Sequence, residues 1–308
     1  MIWLEKLWAR FAAPQPLVRL ELLRILVPLA VLGFLSSRIA HVDDWLGVAG
    51  FHVPDLGRAS SRQPLFLEPL SAAGARVLVG LVVVSGLGLA AGALTRISGA
   101  LFTVSLLYAD LVDRLSEFTV SKLGVVLALA LTLSPAGARL SVDALRRRGA
   151  AAPPSLVAGG YVRAFQLLVV CFYLASGIAK WNGDWPFGDV IWSQIHDSYQ
   201  TPVAVVLGRA LPAWAWLALQ LGTLVYEAGA PLWFGLPWTR PVALAFGLGM
   251  HLTIGLMFGP LIWFSLLMMS LLVASFAPAR WLERLLRTSR APAAPASVPR
   301  NRSTAAGR

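Results

Sequence analysis

Charge is what this chain has least of. Only 13% of its 308 residues are Asp, Glu, Lys or Arg, against roughly a quarter in a soluble domain. Cysteine is nearly absent. The lone Cys171 lies inside an apolar run, which excludes a disulfide framework and a cysteine-built metal centre. Four histidines without ligand spacing supply no metal site. Acidic residues are few, 15 against 26 Lys and Arg, leaving a net charge of +11. Short alternating strands are missing, which excludes a membrane β-barrel. No internal repeat stands out, so an inverted-repeat transporter has no support here.

What is present is apolar, 57% of the chain, in blocks of about the length a helix needs to cross a bilayer. The expected fold is all-α, a polytopic transmembrane helical bundle of about eight spans. The spans fall near 19–40, 76–94, 97–113, 119–135, 161–180, 213–235, 241–258 and 260–277. Seven or nine also fit. Asp110, Asp113, Arg114 and Glu117 crowd one junction, and only Gly259-Pro260 separates the last two blocks. Basic residues flank the first span (Lys6, Arg10, Arg19), fill the central loop (Arg139, Arg146, Arg147, Arg148, Arg163) and follow the last span (Arg280, Arg284, Arg287, Arg290). With eight spans all three regions share one side, so both termini are expected to be cytoplasmic in a multi-pass protein of the cell membrane.

The positive charge is thus loop charge facing a bilayer, and no nucleic-acid partner is implied. The sequence does not fix the oligomeric state. Three regions are expected. Residues 1–16 form an interfacial amphipathic segment, with Trp3, Leu4, Leu7, Trp8 and Phe11 on one face, and not a cleavable signal. Residues 17–279 form the transmembrane domain. Residues 280–308 form a basic, disordered cytoplasmic tail.

Polar residues at membrane depth carry the chemistry. Lys180 closes the fifth block, Glu227 sits midway down the sixth, and His251 midway along the seventh. Each is costly in hydrocarbon unless partnered or neutral. Each alone reads as helix-to-helix glue. Together, on consecutive antiparallel helices, they point to one pocket. The segment Tyr173 to Gly188 ends that fifth block in a turn rich in Trp, Asn and Asp. Trp181, Trp185 and Trp192 are either interfacial anchors or the lid of the pocket, and Tyr173, Trp181, Asp184, Trp185 and Glu227 are its expected lining. Lys180 either snorkels to water or is desolvated so that it gives up its proton easily. Arg19, Glu21 and Arg24 read as an ion pair at the cytoplasmic edge, and Asp110 and Asp113 as two carboxylates on one helical face.

These residues resemble the HTTM domain family, related to the membrane part of vitamin K-dependent gamma-carboxylase. The match is carried by Gly177, Lys180, Asp184, Trp185 and Gly188, with support from Leu140 to Arg148, Gly92 to Arg96, Glu227 and His251. The resemblance covers most of 17–278. It implies that Lys180 is the base that deprotonates a quinol, with His251 a pocket group near it and a quinone as the ligand or cofactor. Two departures weigh against full glutamate carboxylation. The family's Asn/His-rich stretch is replaced by Arg114 to Lys122, and the chain stops soon after its last span, leaving no soluble domain to hold a peptide.

Three functions remain open. One is a membrane enzyme with Lys180 and His251 catalytic. Another is a binding or transport protein for a lipid-soluble small molecule. The third is a structural subunit. Only the first needs Lys180 to lose its proton.

Overall fold

The computed structural model describes residues 2–50, 52, 67–113, 119–147, 155–196 and 201–287. Among them the helices are α1 (Ile2–Ala12), α2 (Val18–Ile39), α3 (Val42–Trp45), α4 (Ala72–Ala91), α5 (Thr95–Val112), α6 (Thr119–Leu133), α7 (Val142–Arg146) and α8 (Gly159–Trp181). The second half holds α9 (Val190–Ile195), α10 (Pro202–Ala210), α11 (Ala213–Ala228), α12 (Ala230–Gly235), α13 (Arg240–Met257), α14 (Ile262–Phe276) and α15 (Ala279–Arg287). Strands β1 (Gln15–Pro16) and β2 (Leu156–Val157) pair antiparallel.

Each of the eight apolar blocks is helical, but they do not all meet the requirements of a span. Among the described residues, five helical stretches are long and apolar enough to cross a membrane: 72–91, 95–112, 159–181, 240–257 and 259–276. A sixth is gained if α10 and α11, bent by 116°, count as one. The shortfall has physical causes. Helix α6 has only 15 residues. The sixth block breaks at Gly229-Ala230-Pro231 into α11 and α12, because proline has no amide hydrogen to continue the ladder.

Helix α2 lies at the centre, packed against α4, α6 and α14, and this position lets its first turns carry charge. Glu21, fully buried, accepts from Arg139 Nη2 at 2.9 Å and from the Leu140 amide at 2.7 Å. Arg24 donates to the carbonyls of Leu89 (2.8 Å), Ala90 (2.6 Å), Ala136 (3.1 Å) and Leu140, satisfying acceptors at the end of α4 and beyond α6. Gly92 makes room for it. Its φ of +69° ends α4 in the left-handed region, and a Cβ there would meet the Arg24 guanidinium at 2.6 Å. Arg19 donates to Ala274 O and Ala277 O at 2.7 and 2.8 Å. The expected ion pair among Arg19, Glu21 and Arg24 is therefore replaced by links to other helices.

These bonds gather the starts of α2 and α5 with the ends of α4, α6 and α14 at one end of the bundle, the basic end. At the opposite end Asp113, closing α5, accepts from Arg38 at 3.1 Å and from Trp45 Nε1 at 2.6 Å. Residues 114–118 and 288–308, which include much of the expected basic tail, lie outside the described residues. Residues 280–287 of that tail are helical, in α15.

Candidate functional site

Helix α8 places Tyr173, Ser176, Gly177 and Lys180 on one face, at the three- and four-residue spacing that stacks side chains along a helix. That face meets α11 at Glu227. A Cβ on Gly177 would fall 2.4 Å from Ala228 N, 2.7 Å from Ala228 Cα and 2.9 Å from Glu227 C, so the two backbones touch here. Close approach sets the reach of the next turn. Lys180 Nζ lies 2.5 Å from Glu227 Oε2 and 2.6 Å from Ser176 Oγ. It also sits 5.0 Å from the centre of the Trp185 ring. The lysine side chain is 20% exposed and the glutamate 9%, so the pair is largely withdrawn from solvent.

Deeper along α8 is a second polar pair. Tyr173 Oη lies 2.7 Å from His251 Nε2 on α13, and both residues are buried. The Tyr226 ring meets Tyr173 edge-on at 5.3 Å, and Phe264 meets His251 edge-on at 5.5 Å. His251 Nδ1 and Tyr226 Oη are buried and meet no hydrogen-bond partner among the described residues. Unsatisfied polar atoms of this kind are few in native proteins, and each calls for an explanation. Helix α8 thus carries two polar pairs two turns apart, Lys180 with Glu227 and Tyr173 with His251.

Among the sequence candidates, Lys180 meets both Glu227 and Trp185, and Tyr173 meets His251. Trp181 is 64% exposed and Asp184 is also exposed. What Asp184 contributes is its carbonyl, which accepts from the amides of Phe187 and Gly188 and closes the turn after α8. Sequence reasoning missed Ser176, the second ligand of the amine, and Gln220. Gln220 Nε2 donates to Trp185 O and Gly188 O at 2.6 and 2.7 Å, while its Oε1 accepts from Ile191 N at 3.1 Å. One side chain on α11 therefore holds the turn that puts Trp185 over Lys180. An amide amid the apolar residues of 213–228 was the available signal. A cavity of about 100 Å³ beside it is lined by Asp189, Trp192, Trp216 and Gln220. Tyr226 reaches the wall of another, about 450 Å³, between α11 and α13, lined by Trp233, Trp238, Val242 and Phe246. Among the described residues no group of His, Cys, Asp and Glu is arranged to hold a metal ion.

Long apolar helices packed around withdrawn polar pairs define a multi-pass helical membrane protein. The HTTM domain family model matches residues 62–281, which include both pairs, and the chain belongs to the HTTM domain family. No curated protein and no solved structure matches it.

Proposed function

We propose that this HTTM protein binds a lipid-soluble, weakly acidic ligand of the quinol type at the Lys180–Glu227 pair and takes a proton from it. The observation that carries the reading is the 2.5 Å contact of Lys180 with Glu227, under Trp185 and beside the Tyr173–His251 bond. The pair as a whole is neutral. With the pair's shared proton on Glu227, the neutral Lys180 amine accepts one from a ligand hydroxyl and becomes an ammonium beside a protonated Glu227, a net cation that holds the ligand anion. Tyr173 Oη and the His251 ring nitrogens offer a donor and an acceptor to the ligand's remaining oxygen. The family relation to the gamma-carboxylase membrane domain supports a quinone-type ligand, while nothing supports glutamate carboxylation.

Eight membrane crossings with both termini cytoplasmic complete this proposal. Support comes from the eight helical blocks and from Arg96, Arg139, Arg146, Arg147, Arg163 and Arg240, all on segments at the basic end. The site then lies toward the outer face of the cytoplasmic membrane.

A second reading is favoured by the same contact. The two charges satisfy each other, as in a structural bond between helices. Binding of 2-methyl-1,4-naphthoquinol across pH separates the two. For a proton acceptor, Lys180→Arg fails as badly as Lys180→Ala, because guanidinium stays protonated. The exchanged pair Lys180→Glu with Glu227→Lys fails too. Full binding by Lys180→Arg or by the exchanged pair would end the proton-transfer reading.

A further inference from the structure

At the basic end, far along the fold from Lys180, a cavity of about 630 Å³ opens between the start of α5, the end of α6 and α7. Arg96, Arg146 and Arg147 line it, together with Leu94, Ile97 and Pro135. Arg147 is anchored by its own donors, Nε to Asp143 O and Nη2 to Gly137 O, both at 3.1 Å. Arg96 and Arg146 are exposed and make no hydrogen bond or ion pair with any described residue. The one carboxylate in the wall, Asp143, is engaged by Leu94 N, Thr95 N and Thr95 Oγ1, each at 2.8 Å. Asp143 therefore caps α5, and three guanidiniums outnumber it.

An apolar track leaves this cavity along two neighbouring helices. On α5, Ile97, Leu101 and Val104 are exposed at three- and four-residue spacing, starting from the cavity wall. On α6, Leu133, Leu129 and Val126 are exposed in the same way, running away from the same end. A soluble anion has no use for such a track; a molecule with a phosphate and long acyl chains uses both parts. We propose that this cavity binds the headgroup of an anionic phospholipid, with its acyl chains lying along α5 and α6. Guanidinium forks suit phosphate oxygens, and basic pockets at the ends of membrane helices suit acidic lipids.

The test is native mass spectrometry of the detergent-purified chain with phosphatidylglycerol and with phosphatidylcholine of the same acyl chains. Wild type is expected to retain phosphatidylglycerol in preference. Arg96→Gln with Arg146→Gln should weaken that retention roughly tenfold or more, each arginine contributing several-fold. Leu133→Ser should weaken it further at unchanged charge. Both arginines are exposed, so the variants should keep the wild-type melting temperature. The control is Arg280→Gln with Arg284→Gln on α15, also exposed and following the end of α14 at the basic end. An equal loss in that control would make the preference diffuse charge and overturn the site. Displacement of the lipid by millimolar inorganic phosphate alone would make the ligand a soluble anion and overturn it equally.

Discussion

Replacing Gly177 with alanine tests whether the α8–α11 contact positions Lys180. The added Cβ would lie 2.4 Å from Ala228 N and 2.7 Å from Ala228 Cα. These are backbone atoms and cannot rotate away. Restoring ordinary contact requires the helices to separate by about 1 Å, as interiors packed at crystal density leave no slack. Overpacking costs about 1–3 kcal/mol, and a backbone clash belongs at the upper end. Alanine returns about 1 kcal/mol as the better helix former. The net loss is then about 2 kcal/mol, a fall in melting temperature of roughly 4–8 °C for a domain of this size.

Gly249→Ala is the control. Gly249 lies within α13 and has nothing within 4 Å of the new methyl group. It should be neutral or stabilising by roughly 0.5–1 kcal/mol. Thermal unfolding in detergent reads both variants. The naphthoquinol assay should fall for Gly177→Ala and stay unchanged for Gly249→Ala. Equal stability of the two variants would refute the argument that a backbone contact fixes the reach between Lys180 and Glu227.

Two further outcomes follow from the geometry. Tyr173→Phe leaves His251 with both ring nitrogens unpartnered in the core, and should lower stability by about 1–3 kcal/mol in the same unfolding assay. Asp143, on α7 outside the spans, gives a pH dependence. Burial opposes its ionisation, but the hydrogen bonds from Thr95 and Leu94 outweigh that and hold its carboxyl below the usual value of 3.8. A depressed carboxyl contributes stability that is full above its unfolded pKa and is lost as pH falls through its folded one. Acid titration of wild type should therefore show a loss below about pH 4, smaller in Asp143→Asn; identical acid limbs would count against this cap.

The helices were legible because apolar blocks separated by Gly, Pro and charge announce themselves one at a time. The block read as 19–40 is α2, and that read as 161–180 is α8. The stretch between the fifth and sixth apolar blocks carries no expected helix, yet it contains α9 and α10. Its signal, Thr201 before Pro202, is a cap followed by a first-turn proline: Thr201 accepts from Ala204 N at 3.2 Å. The meeting of Lys180 and Glu227 followed from antiparallel neighbours. That His251 would take Tyr173 as partner did not, because a single residue's rotation about α13 decides it. The role of Arg24 was hidden for a different reason. Its acceptors are backbone carbonyls, which every residue carries, so no letter in the sequence marks them.

The bonds of Arg19 have a consequence for biosynthesis. Its acceptors, Ala274 O and Ala277 O, lie 255 and 258 residues downstream. Throughout most of translation this guanidinium has no carbonyl to receive it, and the first long helix must wait with its charge near the interface. Only when α14 has emerged can Arg19 make these bonds. The earliest long helix to be made thus gains these bonds among the last, and α2 and α14 close this end of the bundle together.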